Sequence, residues 1–306
     1  GSIDPDGAVV VTAGDDQTFA ITPESGYQVA DVLVDGVSVG AETSYTFFDV
    51  QTEHTIAASF QLAGLSPCAP VTIMPLGDSI TDEYNVAGSY RKPLYESLVN
   101  NGYDVDFVGS KNNGALADPH HEGHSGWDAD EIRDNIIGWL SATPAEIVLL
   151  HIGTNDMSTS QTAADVAVEI GQILDNIDTY SPDVWVILAR IINRQNPTDT
   201  KGLETTELNN QIQILANARI FAGDKIIVVD MESALDYPGD MDGIHPNDSG
   251  YGKMAGVWFT ALDNFLPGYC SDGPNVGNLS LTSESESNLD TDALTCEYEL
   301  SGGATT

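Results

Sequence analysis

Five residues in four short blocks of this 306-residue chain are of types that together support nucleophilic catalysis. "GDSIT", Gly77 to Thr81, offers the hydroxyl of Ser79. "VDFVGS" carries Gly109, "GTND" carries Asn155, and "DGIHP" carries Asp242 and His245. A serine hydroxyl is a poor nucleophile alone; it needs a base, and the base needs an orienting acid. Each residue also has an ordinary use: Ser79 as a helix N-cap, Asn155 as an Asx-turn residue, Asp242 and His245 as turn residues.

The elements around the blocks decide between these uses. The apolar run Val71–Leu76 stops at Gly77, so Ser79 lies just past a buried strand. Strands are expected over Val71–Pro75, Asp104–Val108, Glu146–His151, Val184–Ala189 and Lys225–Val229. Helices are expected over Tyr90–Asn101, Ala129–Leu140, Thr162–Tyr180, Glu204–Ile220 and Ser249–Phe265. Continuous apolar strands such as "EIVLLHI" and "VWVILA" imply a parallel sheet buried on both faces. The alternation predicts a three-layer α/β fold, with ligands beyond the carboxyl ends of the strands. All four blocks would then meet at one sheet edge. His151, inside an apolar strand, is expected to be a satisfied core histidine, and Asp78 to be structural.

Taken in this order over about Val71 to Leu266, the blocks resemble those of the SGNH hydrolase superfamily, also called GDSL-type esterases. The resemblance implies an α/β/α sandwich with Ser79 as nucleophile, His245 as general base and Asp242 as its partner. An oxyanion hole would form from the Ser79 and Gly109 N–H groups and the Asn155 amide. A carboxylate three residues before the imidazole can accept its Nδ1–H. The α/β-hydrolase alternative needs G-x-S-x-G, and Thr81 stands where its second glycine should be.

A finer likeness lies in "IMPLGDSIT", "GSYRKPLYESL", "GYDVDFVGS", "HEGHSGWDADEI" and "LLHIGTNDM". These are similar to carbohydrate esterase family three, the acetylxylan-esterase type. That implies removal of acetyl groups from a polysaccharide. His124, Ser125 and Trp127 of "HEGHSGW" are candidate sugar contacts. Glu83 and Tyr84 occupy a region where many relatives carry glycine, and Tyr84 is a further candidate contact. His120 and His121 are expected to be solvent-exposed polar residues, not metal ligands.

Composition narrows the partners. With 47 acidic and 10 basic residues the formal charge is −37, which repels nucleic acid and anionic membranes. No apolar run approaches a membrane span. No cofactor is required by the expected chemistry; the acids Asp4, Asp6, Asp15 and Asp16 are candidates for an irregular structural calcium site. A Cys68–Cys270 disulfide would staple the catalytic segment's ends and favour a secreted or cell-surface setting. Cys270–Cys296 pairing, or three free thiols, stay open.

Three domains are expected: a small all-β module over 1–65, the catalytic domain over 66–270, and an acidic linker or start of a further module over 271–306. Two other functions compete. One is a short-chain lipid or aryl esterase. The other is a surface binding protein whose hydrolase domain is degenerate, against which the intact Ser79, Asp242, His245 and Asn155 set speaks.

Overall fold

Five strands of the computed structural model lie side by side and all run the same way. They are β1 (Val71–Gly77), β2 (Val105–Phe107), β3 (Ile147–His151), β4 (Trp185–Arg190) and β5 (Ile226–Asp230). Their order is β5-β4-β3-β1-β2, every pairing parallel. The order reverses between β1 and β3, so a crevice opens at the carboxyl ends of those two strands. The structure describes residues 1–24, 27–62, 70–194, 196–264, 266, 280–283 and 294–297.

Successive side chains on each strand point to opposite faces, and both faces are covered. Ile147 and Leu149 of β3 enter one core; Val148 and Leu150 enter the other. Helices α1 (Arg91–Asn100) and α5 (Asp248–Asp263) close the first face with Leu94, Leu98, Met254 and Trp258. On the second lie α2 (Ala129–Ala142), α3 (Ala163–Tyr180) and α4 (Thr200–Ala222), through Ile136, Ile170, Ile173 and Leu208. This is the expected three-layer arrangement. Helix α4 begins four residues before the expected Glu204, because Asp199 caps it by accepting the Gly202 N–H at 2.8 Å.

The N-terminal residues form two three-stranded antiparallel sheets. One orders Ser2–Asp4, Gln17–Thr22 and Ser44–Phe47; the other orders Val37–Ser38, Tyr27–Val34 and Ile56–Leu62. The apolar alternation breaks between Val29 and Val32 because the register shifts there, yet both stay buried. Asp35 and Gly36, both at positive φ, make the hairpin turn.

Residues Gly1–Gly268 cluster as one unit and Tyr269–Thr306 as a second. Within the second, Ser280–Ser283 and Leu294–Glu297 pair antiparallel. Cys68 and Cys270, and with them the disulfide alternatives, lie outside the described residues, as do both expected domain boundaries. No helix among the described residues is long and apolar enough to cross a membrane.

Within the first unit, Tyr27 packs edge-on against Trp185 with ring centroids 6.4 Å apart. Trp185 opens β4, so this contact is at the amino end of the sheet, away from Ser79. Deleting residues 1–65 should therefore lower the melting temperature, read by circular dichroism, while kcat on a small soluble ester stays at the parental value. A folded but inactive deletion would mean that the N-terminal sheets contribute to the site.

Candidate active site

The turn after β1 is built by two residues. Gly77 sits beside His151 in the β1–β3 pairing, and a Cβ there would overlap the His151 carbonyl. Only glycine lets the two strand ends run so close. Asp78 then bends the chain: its Oδ1 accepts the Ile80 N–H at 2.8 Å, and its carbonyl accepts from Asp82 at 2.9 Å. Ser79 stands at the apex of this bend.

Across the crevice, Met241–Asp242 and His245–Pro246 form a hairpin closed by Gly243 at φ 69°. It delivers His245 to Ser79, with Oγ to Nε2 at 2.8 Å. An imidazole at this distance can take the hydroxyl proton. Burial lowers the His245 pKa from its ordinary value, and the Asp242 charge opposes that. The imidazole is thus favoured in its neutral, proton-accepting form at neutral pH. Asp242 faces His245 across the hairpin but is exposed, and its Oδ2 accepts from Asn85 Nδ2 at 3.2 Å. The expected Asp242–His245 hydrogen bond is not formed in this arrangement. Tyr84 stacks on the His245 ring at 4.0 Å and 14°. Its other face is open to solvent.

Gly109 follows β2 at φ 152°, and a Cβ on it would overlap the His121 backbone. Asn155 follows β3, and its Nδ2 donates to the Trp127 carbonyl at 2.8 Å. The candidate sugar contacts are engaged within the protein. His124 bonds Glu122 at 2.8 Å and packs against both Trp127 and Trp139, at 4.3 and 4.6 Å, with the two indoles 5.8 Å from each other. Ser125 donates to Asp82 at 2.8 Å.

His120 is exposed as expected, but His121 is fully buried, a correction to the sequence reading. Its Nδ1 accepts from Gly123 N–H at 2.9 Å and its Nε2 meets Asn113 Oδ1 at 2.6 Å. Burial, with the Arg91 charge, pushes its pKa down to about 3, so it is held neutral. His151 is a core histidine whose Nε2 accepts the Ile192 N–H at 3.2 Å; its Nδ1 has no partner among the described residues. Among those residues no group of three or more His, Cys, Asp or Glu is placed to hold a metal, the N-terminal acids included.

Sequence reasoning missed three supports. Arg91 is fully buried and donates to the carbonyls of Thr81, Asp82, Asn113 and Pro119 at 2.8–3.1 Å. Asp82 takes Lys111 at 2.7 Å and Asn113 at 3.0 Å; despite burial, these partners and Ser125 hold its pKa below the usual value. Asp156 is buried behind Asn155 and accepts the Ala129 N–H at 2.9 Å. One signal was available: Arg91 is the first basic residue of a very acidic chain.

The profile of the GDSL-like Lipase/Acylhydrolase family matches residues 76–253, a span that holds all five block residues. A multidomain esterase of Ruminococcus flavefaciens is 28% identical over 285 residues, covering 81% of this chain. The chain spans only 36% of that relative's own length. A solved family 3 carbohydrate esterase of Clostridium thermocellum is 33% identical, with TM-score 0.57 over 62% of this chain and 94% of that one. An acetyl esterase solved with an acetate ion is 31% identical, with TM-score 0.56 over 63% and 96%.

The floor of the crevice carries a testable strain. Burial drives the Asp78 carboxyl up to about 7, with the nearby Asp156 charge adding to it, and burial drives Asp156 up to about 7 as well. A raised folded-state pKa contributes stability that is full below the unfolded value and is lost as pH rises through the folded one. Asp78→Asn keeps the acceptor for Ile80 and cannot ionise. Its melting temperature relative to the parent should therefore be more favourable at about pH 8.5 than at about pH 5. Thermal melts at the two pH values check this; an unchanged difference would mean that Asp78 carries no buried charge.

Proposed function

The chain belongs to the GDSL-like lipase/acylhydrolase family, and from that premise we propose that it is a serine esterase removing acetyl groups from a polysaccharide of the acetylxylan type. The observation that carries this reading is the 2.8 Å contact between Ser79 Oγ and His245 Nε2 at the carboxyl edge of a parallel sheet. The acetyl preference is supported by the likeness to the acetyl esterase and to the family 3 carbohydrate esterase. Tyr84 stacked on His245 supports a short acyl group, because its ring takes up space beside the base.

In this mechanism His245 Nε2 takes the Ser79 proton as Oγ attacks the acetyl carbonyl carbon. The carbonyl oxygen gains negative charge and is held by the Ser79 and Gly109 N–H groups and the Asn155 amide. The imidazolium then protonates the departing sugar oxygen, leaving acetyl-Ser79. Water, deprotonated by His245, attacks that ester; acetate leaves and Ser79 regains its proton. The Asp242 charge stabilises the imidazolium in both halves. The chemistry calls on protein groups alone. The reading also puts the protein outside the cell, where polysaccharide is met and an acidic surface keeps it soluble.

Acetate release from acetylated xylan, measured beside a p-nitrophenyl ester series, tests the substrate. Acetyl should be preferred to octanoyl; a maximum at long chains with no acetate from xylan would favour the lipid or aryl esterase. Ser79→Ala should abolish turnover in a folded protein. For Asn155→Ala we expect kcat to fall by about 10²–10³ with KM little changed, the usual cost of one oxyanion donor. If instead KM alone rises, Asn155 positions substrate and the oxyanion is held elsewhere.

A further inference from the structure

The three donors expected to hold the oxyanion come from three separate loops, after β1, β2 and β3. One segment, His121 to Trp127, touches the carrier of each. Its His124 N–H donates to the Gly77 carbonyl at 2.8 Å, two residues before Ser79. Its His121 backbone bridges Lys111 in both directions, at 3.0 and 3.1 Å, and lies flat against Gly109. Its Trp127 carbonyl accepts the Asn155 amide at 2.8 Å.

Gly109 is the weakest of the three carriers. Its N–H lies in the Val108–Gly109 peptide. Val108 is held on one side by its own N–H on the Ile73 carbonyl at 2.8 Å. The glycine's backbone freedom leaves that peptide loose on the other side unless the Ser110 peptide is pinned. Glu122 supplies the pin. One carboxylate oxygen accepts the Ser110 N–H, the group belonging to the peptide just after Gly109, and the other accepts Ser110 Oγ–H at 3.0 Å. The carboxylate is fully buried and is itself anchored by His124 Nε2 at 2.8 Å. Packing against Trp127 at 24° and Trp139 at 10° opposes rotation of the His124 ring. Charge-assisted hydrogen bonds in a buried setting are the strong, directional kind.

We propose that Glu122, anchored by a His124 ring packed against Trp127 and Trp139, is the positioning residue that sets the Gly109 arm of the oxyanion hole. It touches neither substrate nor reacting atoms. The inference rests on the serine-esterase reading above.

The test is steady-state kinetics on p-nitrophenyl acetate for Glu122→Ala, Glu122→Gln and Ser110→Ala, with thermal melts and with labelling of the parent by a reactive organophosphate ester. A misplacement of about 1 Å costs about 10²-fold, so Glu122→Ala should lose roughly tenfold to a hundredfold in kcat with KM held. Glu122→Gln still accepts the Ser110 N–H and should retain more. Ser110→Ala keeps that bond too and should lose least. A folded Glu122→Ala protein with parental kcat, whatever its melting temperature, overturns the proposal, and so does a rise in KM alone. Should Glu122→Ala not fold, Glu122→Gln decides: a lower kcat at unchanged KM supports the proposal, and parental kcat overturns it. If the parent is not labelled at Ser79, the serine reading fails and this inference with it. If Ser79 is labelled while the Glu122 variants keep parental kcat, only the inference fails.

Discussion

The carbonyl of His151 occupies the space that any side chain at position 77 would need. That exclusion sets the geometry of the crevice. Because residue 77 has no Cβ, β1 and β3 stay paired to their last residues, His151 opposite Gly77. Both strands then end together at the point where the sheet order reverses. The chain after β1 must turn at once, and the Asp78 carboxyl oxygen makes that turn by accepting from Ile80. The chain after β3 turns through Gly153 at φ 122° toward Asn155. The Ser79 and Asn155 turns therefore leave the sheet at the same end as a consequence of strand pairing.

The loop after Ser79 could still wander, since it runs from Ile80 to Tyr90 before α1 begins. One of its anchors is a buried guanidinium. Arg91 opens α1 and sends its fork back to the carbonyls of Thr81 and Asp82, and onward to Asn113 and Pro119. Backbone carbonyls, not carboxylates, satisfy its charge, which suits a planar donor with several N–H groups. Lys111 does the companion work on the Asp82 carboxylate. A chain so short of cations has placed two of them under its reactive loop.

The fold was legible because both signals behind it are local. Apolar runs of strand length alternate with helical periods, and the five strands and five helices fall within a few residues of expectation. The blocks were legible because each follows a strand end. What sequence could not give was the company a side chain keeps across the fold. His121 is next to an exposed histidine in the chain, yet it is buried against Arg91 and Asn113. The Trp127 ring of "HEGHSGW" stacks on His124 of the same loop, a contact no spacing announced. Asp242 has the right spacing to meet His245, yet Asn85, far away in sequence, holds it instead. In the N-terminal sheets, the shift near Val29 hid the alternation that a regular strand would show.

The acidic surface and the candidate base pull in opposite directions. A formal charge of −37 would by itself keep an imidazole protonated to higher pH. Each exposed carboxylate acts weakly, however: at about 10 Å in water one unit charge contributes only about 0.4 kcal/mol, and salt screens it further. Burial acts on the ring directly, by removing the water that would solvate the cation. At His245 burial is the larger cause and lowers the pKa, with Asp242 the carboxylate opposing it. At this ring desolvation therefore outweighs the Asp242 charge that opposes it. The protein can carry a strongly acidic exterior and still present a neutral imidazole to Ser79, provided that the hairpin and Tyr84 keep the ring out of water.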